Sequence, residues 1–312
     1  MWVADKLVYR SEDDFIMAYK GSELVWELPS GLYYVSWTPS SLSGSFSLFG
    51  QTYNMRDYMG YYYWKESGVI TSSAFQSTGI KTISTNVSGI GNSAFGSCIS
   101  LSQVSLPMCS YIGSYAFEYC SSLSQVSLPM CSSIGNNAFD SCISLSQVSL
   151  PVCSYIGSSA FYDCSSLSQV SLPMCSYIGE AAFLYCRSLS QVSLPMCSYI
   201  GEAAFNECKS LSQISIPMCS YIGSYAFRSC GSLKQVSLPK CSYIGNYAFL
   251  FCYELNTITI GYSGVCSLGS SVFYRTQITS STGDIYVPAS LVNAYKSAKN
   301  WSQYSNRIYS IR

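Results

Sequence analysis

The stretch Leu123-Ser-Gln-Val126-Ser-Leu128-Pro129-Met-Cys131-Ser-Ser-Ile134-Gly135-Asn-Asn-Ala138-Phe139-Asp-Ser-Cys142 decides the fold, because the chain copies it again and again. An Ala-Phe pair recurs at Phe95, Phe117, Phe139, Phe161, Phe183, Phe205, Phe227 and Phe249, always 22 residues apart. Phe75 precedes this series by 20 residues and Phe273 follows it by 24. A fixed period of this length marks stacked rungs, each burying its apolar face against its neighbours. Val126 and Leu128 alternate at the period of two that points both inward from a strand. Pro129 has no N–H to donate and ends the ladder. Gly135 predicts a tight turn or a positive φ. Asn136 to Phe139 has room for no more than one helical or 3-10 turn, with Ala138 and Phe139 facing the core. An isolated unit is therefore expected to be unfolded, and the array to form a solenoid of short parallel strands joined by loops and 3-10 or short helical turns.

Outside the array the sequence changes character. Residues 1–70 do not repeat and read as a small β-rich module that caps or docks. Leu7-Val8-Tyr9, Phe15 to Tyr19 and Leu24-Val25-Trp26 alternate like strands, and Lys20-Gly21-Ser22-Glu23 reads as a hairpin turn. Tyr58-Met59-Gly60-Tyr61-Tyr62-Tyr63-Trp64 is strongly aromatic, which suits either a cover for the first rung or a docking face. Residues 71–275 are the solenoid and 276–312 a cap. In that cap Ile285-Tyr286-Val287 predicts a strand, and Pro288 opens a predicted helix from Ala289 to about Ser305. Leu291, Val292, Tyr295, Ala298 and Trp301 lie near one face of that helix.

Composition narrows the functions. Of 312 residues only 10% are charged, with 16 basic and 16 acidic side chains, so there is no basic field to hold a phosphate backbone. Nucleic acid is an unfavourable partner, and no run of apolar residues is long enough to insert in a membrane. Histidine is absent, which removes the commonest general base and metal ligand. Glycine-rich phosphate loops and G-x-S-x-G elbows are missing too, so no catalytic residue, cofactor site or metal site is assigned. Asp13, Asp14, Glu180 and Glu202 are the carboxylates that could pair in a glycan-active enzyme; Glu180 and Glu202 fit better as acids at helix N-termini. The N-terminus shows no basic patch followed by an apolar core, and the C-terminus no anchor motif.

Sixteen cysteines fall in two columns. One runs Cys98, Cys120, Cys142, Cys164, Cys186, Cys208, Cys230, Cys252. The other runs Cys109, Cys131, Cys153, Cys175, Cys197, Cys219, Cys241, with Cys266 as a shifted last member. Both read as small buried hydrophobes, with Cys120, Cys131, Cys142 and Cys153 placed in the core beside Phe117, Phe139, Phe161, Phe183 and Phe205. Disulfides between neighbouring rungs are the alternative, since a strand spacing of about 4.8 Å falls in the permitted Cα range. So many free thiols suit a reducing cytosol or an anaerobic habitat.

Three surfaces are candidates for binding. Between the inward residues of the strands stand Gln103, Gln125, Gln147, Gln169, Gln191, Gln213 and Gln235, with serines such as Ser127 and Ser149 beside them. This uniform concave sheet, about 30–35 Å long, is either a self-satisfied amide and hydroxyl ladder or a neutral platform for a repetitive glycan. A row of tyrosines, Tyr111, Tyr155, Tyr177, Tyr199, Tyr221 and Tyr243, is interrupted by Ser133 and points outward from the strand end. The positions around each Phe-x-x-Cys differ from copy to copy, and on this convex flank Tyr119, Tyr162, Tyr185, Glu207, Arg228 and Phe251 are the candidates for telling one partner from another.

The unit L-x-x-V-x-L-P-x-C-x-x-I-G-x-x-A-F-x-x-C resembles the BspA-like, or LRR_5, leucine-rich repeats of gut and oral bacteria, over roughly residues 70–275. The resemblance implies a curved leucine-rich-repeat solenoid and a surface protein that adheres to host proteins, cells or polysaccharide. Residues 18–27, Ala18-Tyr-Lys-Gly-Ser-Glu-Leu-Val-Trp-Glu27, are in addition similar to short modules of virion proteins from phages of gut bacteria. The expected function is non-enzymatic binding of a surface protein or glycan. The chain would be carried on a virion as a fibre or decoration component or, alternatively, on a bacterial cell as a secreted adhesin. Residues 1–70 would dock or form a homo-oligomer.

Overall fold

A computed structural model describes residues 68–311, apart from 78 and 281, together with the backbone of short strands between residues 6 and 62. Each rung contributes two strands. The first is three residues long in most rungs, as in Gln125–Ser127, and pairs in parallel register with its copies, Val126 opposite Val104 on one side and Val148 on the other. The second is two residues long, as in Ser133–Ile134, and stacks in parallel into a ten-stranded sheet from Val69–Ile70 to Ser267–Leu268. At the N-terminal end Ile80–Ser84 continues the first sheet, and Val35–Trp37 and then Tyr61–Tyr62 add to it antiparallel. The strands Phe15–Lys20 and Glu23–Pro29 pair antiparallel with Lys20 opposite Glu23, the register a two-residue hairpin requires. The side chains of residues 1–67, among them the aromatic run Tyr58 to Trp64, lie outside the described residues.

The third side of each rung differs from its sequence reading. Residues 136–139 form no helical turn. Instead the N–H groups of Tyr115, Phe117 and Tyr119 donate to the carbonyls of Asn136, Ala138 and Asp140 one rung on, each at 2.8 Å. Local bonds such as Glu118 N–H to Tyr115 O, 3.2 Å, close the turn. This pattern needs left-handed residues at two places per rung, here Tyr115 (φ 60°) and Tyr119 (φ 57°), and in the next rung Asn137 (54°) and Ser141 (57°). The backbone reaches for its neighbour because a single helical turn would leave its end groups unpaired.

Gly135 also has another reason to be glycine. Its φ is not positive; among the described residues only Gly68 combines glycine with positive φ. A Cβ on Gly135 would stand 2.7 Å from the carbonyl carbon of Gly113 and from the nitrogen of Ser114. The column Gly113, Gly135, Gly157, Gly179, Gly201, Gly223 and Gly245 is where rungs touch backbone to backbone.

The interior is a set of straight columns. Ten phenylalanine rings from Phe75 to Phe273 stack with centroids 5.1 to 5.9 Å apart. Each buried Phe is worth about 1.5–3 kcal/mol of transfer energy. Leu128, Leu150 and their copies back the rings; Val126 and Ile214 are only partly covered, although they pack on the core. The exposed end of this stack is closed by Trp301 and Tyr304, both in ring contact with Phe273.

That closure breaks the predicted C-terminal helix. Ala289–Leu291 is 3-10, Val292–Ser297 is α-helical, Ser302–Arg307 is 3-10 again, and Ile308–Ser310 adds a parallel strand beside Asp284–Val287. Ala298 is extended and Asn300 is left-handed. The break lets the Trp301 indole donate to Cys266 O at 2.6 Å and the Asn300 amide to Leu268 O at 2.7 Å. A continuous helix cannot satisfy both.

Candidate binding surfaces

The concave sheet encloses an open groove of about 1190 Å³ lined by Ser and Gln of consecutive rungs. Gln125, Gln147, Gln169 and Gln191 are exposed in it. Among the described residues no side-chain hydrogen bond links these amides, so the expected amide ladder does not form. The hydroxyl ladders run elsewhere. Ser110, Ser132, Ser154, Ser176, Ser198, Ser220 and Ser242 each donate to the carbonyl of the same serine one rung back, and beside the groove Ser124, Ser168, Ser190 and Ser212 do the same while Ser102 donates to Lys81 O. A serine directly after each cysteine of the second column was the sequence signal for the first ladder.

The tyrosine row is a true stack on one side of Ser133. Tyr155, Tyr177, Tyr199, Tyr221 and Tyr243 lie nearly parallel at 4.8 to 5.1 Å. Tyr155 is exposed and the other four are half-buried by their neighbours. Burial first, then the neighbouring tyrosines, pushes the Tyr199 and Tyr221 hydroxyls above the usual phenol range.

A methionine row escaped the sequence reading. Met108, Met130, Met174, Met196 and Met218 follow each strand's proline and are 47 to 60% exposed, with Val152 completing the row. Five methionines at one place in L-P-x-C were there to be read.

The convex flank carries what varies. Its six candidates occupy two adjacent columns after each Phe. Tyr119 is exposed; Tyr162, Tyr185, Glu207, Arg228 and Phe251 are half-buried. Tyr162 meets Tyr185 edge to face at 5.5 Å, and Arg187 sits 5.3 Å over the Tyr185 ring. Arg228 lies 5.8 Å over Phe251, and Glu207 pairs with Lys209 at 3.2 Å. Tyr119, Glu207 and Phe251 stand on left-handed residues, so the turn itself throws these side chains outward. Charge changes along the flank: Glu118, Asp140 and Asp163 come first, and the later rungs mix Arg187, Lys209 and Arg228 with Glu180, Glu202 and Glu207. Burial, then Asp140, raises the Glu118 carboxyl above its ordinary range. Asp140 is buried and accepts from Asn137 Nδ2 at 2.9 Å and Ser141 Oγ at 2.8 Å. Glu180 and Glu202 are exposed in the same turn, and no helix starts at either.

The sixteen cysteines are all free and buried. Cys120, Cys142 and their copies donate to the Phe carbonyl of the preceding rung, Cys142 to Phe117 O at 3.2 Å. Cys131, Cys153 and their copies donate two residues ahead, Cys153 to Tyr155 O at 3.3 Å. Burial pushes Cys153 up to about 11 and Cys131 to about 12. Phe117, Phe139, Phe161, Phe183 and Phe205 have no exposed surface. Among the described residues no cluster of histidine, cysteine or carboxylate could hold a metal ion, and no helix is long and apolar enough to cross a membrane.

Parallel strands stacked rung on rung, a Phe column and a polar groove define a leucine-rich-repeat solenoid. The chain belongs to the BspA type leucine-rich-repeat family: the pattern described as BspA type Leucine rich repeat region (6 copies) matches residues 68–190 and 176–298. Among solved structures, a leucine-rich repeat protein from Bacteroides ovatus is similar at 25% identity and a TM-score of 0.61, over 92% of this chain and 70% of its own. A leucine rich repeat protein from T. pallidum is 26% identical over 53% of this chain and 71% of its own, with a TM-score of 0.39. A leucine rich cell surface protein from Faecalibacterium prausnitzii aligns over 99% of this chain and 95% of its own at 18% identity and a TM-score of 0.47. No curated protein matches the sequence.

Proposed function

We propose that the chain is a non-enzymatic binding protein displayed on a surface, and that it selects its partner, a protein or glycan of another surface, through the convex flank. One observation carries this reading. The columns inside each rung are uniform and internally satisfied, whereas the positions around Phe-x-x-Cys change at every copy and are half open to solvent. A rigid frame with one variable face is how repeat arrays present a binding site. The Gln-Ser groove offers a second, monotonous face that suits a repetitive ligand.

A bacterial cell is the carrier favoured here, because the repeat is of the BspA type. The virion reading draws on residues 18–27, whose side chains lie outside the described residues, and on the free thiols. Recovery of the chain by mass spectrometry in purified phage particles, rather than in the cell envelope, would reverse that preference.

The test uses the labelled full chain on bacterial cells, epithelial cells and arrayed glycans and proteins. Saturable binding to at least one surface is expected, weakened by Glu207→Lys and Arg228→Glu. Absence of saturable binding on all of them, or turnover of an arrayed glycan by the purified chain, would overturn the proposal.

A further inference from the structure

Among the described residues, the convex flank contains a cleft. It is shallow, about 450 Å³, and is lined by Ala203, Asn206, Tyr225, Arg228, Tyr247 and Leu250. Buried side-chain polar atoms in a folded protein almost always have partners, so an orphan asks for an explanation. Among the described residues only three such atoms are unpartnered: Thr85 Oγ1, Asn206 Oδ1 and Arg228 Nε. Two of the three meet in this cleft, and Asn206 is 9% exposed. Arg228 takes part in none of the ion pairs among the described residues. Its guanidinium rests over Phe251 and is left without a counter-charge.

The rest of the cleft says what is missing. Tyr225 and Tyr247 stack at 5.1 Å and 14°, giving a flat aromatic wall. The same column holds Ala181 and Ala203 in the two preceding rungs, so the wall rises where the array had been low. Every backbone N–H of the six lining residues is already donated, for example Asn206 to Ala203 O and Arg228 to Tyr225 O, both at 3.0 Å. Main-chain capture of a peptide, which needs free N–H groups, is closed off. Recognition falls to side chains: one cation, one amide oxygen that wants a donor, and two phenol faces.

We propose that this cleft binds an acidic sugar residue. The carboxylate meets the Arg228 guanidinium, a neighbouring hydroxyl donates to Asn206 Oδ1, and the C–H face of the ring lies on Tyr225 and Tyr247. Both orphan atoms are covered, and a turn of each side chain toward the cleft brings them to one ligand. The inference rests on the surface-binding function proposed above and names the ligand class of one place on that surface.

The array supplies safe variants. Leu184 and Leu250 occupy the column of Asn206 and Arg228, and Ala181 occupies that of Tyr225. Arg228→Leu, Asn206→Leu and Tyr225→Ala therefore recreate neighbouring rungs. Titration calorimetry on the full chain would use a glucuronate-terminated trisaccharide, its glucose-terminated counterpart, and a tripeptide with a free carboxylate. The expected result is binding of the glucuronate probe, at least about tenfold weaker binding of the neutral sugar, and a similar loss in Arg228→Leu and Asn206→Leu. Arg228→Lys should recover part of the affinity.

No heat with the glucuronate probe, equal affinity for the neutral sugar, equal affinity in Arg228→Leu, or binding of the tripeptide alone would each overturn the cleft's assignment. Should the wild-type chain still bind cells saturably, the surface-binding function survives that loss. Should it bind no surface, the function falls, and the probe titration decides the cleft by itself.

Discussion

The 22-residue unit places glycine and the left-handed residues at different positions, and each makes its own prediction. Glycine stands where backbones touch: a Cβ on Gly179 would lie 2.6 Å from the carbonyl carbon of Gly157. Gly179→Ala must push two rungs apart, and a loss of about 1–3 kcal/mol is expected. The left-handed positions carry ordinary side chains, among them Ser229 at φ 60°. Ser229→Gly relieves roughly 1–2 kcal/mol of left-handed strain and adds about 0.5–1 kcal/mol of unfolded-chain entropy. It is therefore expected to leave the melting temperature unchanged or raise it slightly. Thermal unfolding followed by circular dichroism checks both, and a rise in Gly179→Ala would contradict the backbone contact. Phe161→Ala removes a ring from the middle of the stack and should lower stability by about 3–5 kcal/mol. Sequence alone pointed to Gly135 as special and offered a tight turn or a positive φ. It does precede a turn, but its φ is not positive; a glycine demanded by close approach and one demanded by φ look the same in one dimension.

Elements were legible in proportion to their periodicity. The strand at Gln125–Ser127 announced itself by alternation, and the Phe and Cys columns by spacing alone. The turn around Phe139 did not, since its bonds run to a rung 22 residues away. Nor did the C-terminal element, where Leu291, Val292, Tyr295, Ala298 and Trp301 fit a helix as a pattern, yet the need to cover Phe273 breaks it. Trp301→Ala should uncover that ring and cost about 3–5 kcal/mol. Hydrogen exchange would locate the loss in the last rungs, around Gly269 and Ile285; uniform exchange along the array would refute a capping role. The methionine row makes the contrasting case of an element exposed along its whole length. A thioether accepts an oxygen atom from a peroxide, the sulfur losing two electrons as the O–O bond breaks and water leaves. Met108, Met130, Met174, Met196 and Met218 face solvent while all sixteen thiols are buried. Under limited hydrogen peroxide, peptide mass mapping should show sulfoxide at these five before any array cysteine is oxidised. Early cysteine oxidation would mean that the array opens readily.

At the scale of the whole molecule, the thiols bind stability to pH. The convex cleft could not be read from the sequence, because an orphaned Oδ1 or Nε is a fact of three-dimensional packing. The thiol columns could, and their burial now gives them a titration. A free thiol ionises near about 8.5 in an unfolded chain. Burial holds Cys109, Cys153 and Cys197 up to about 11 and Cys131 and Cys175 to about 12 in the folded array. The folded state thus keeps protons that the unfolded state has already lost, and stability must fall as pH rises through this window. The contribution is whole below about 8.5 and is lost as pH climbs toward the folded values. Cys241 works in the opposite sense, since a hydrogen bond from Cys266 lowers its thiol, but it is one residue against two columns. The melting temperature should therefore be flat from neutral pH to about 8.5 and then drop steeply toward about 11. Replacing Cys131, Cys153 and Cys175 together by alanine should lessen that drop in proportion to the thiols removed, while lowering stability at neutral pH through lost packing. A thiol-reactive dye at pH 8 should find the array thiols silent in the folded chain and reactive after denaturation. Rapid labelling of the folded chain, or an alkaline slope unchanged in the triple variant, would show that the columns do not set the pH limit of the array.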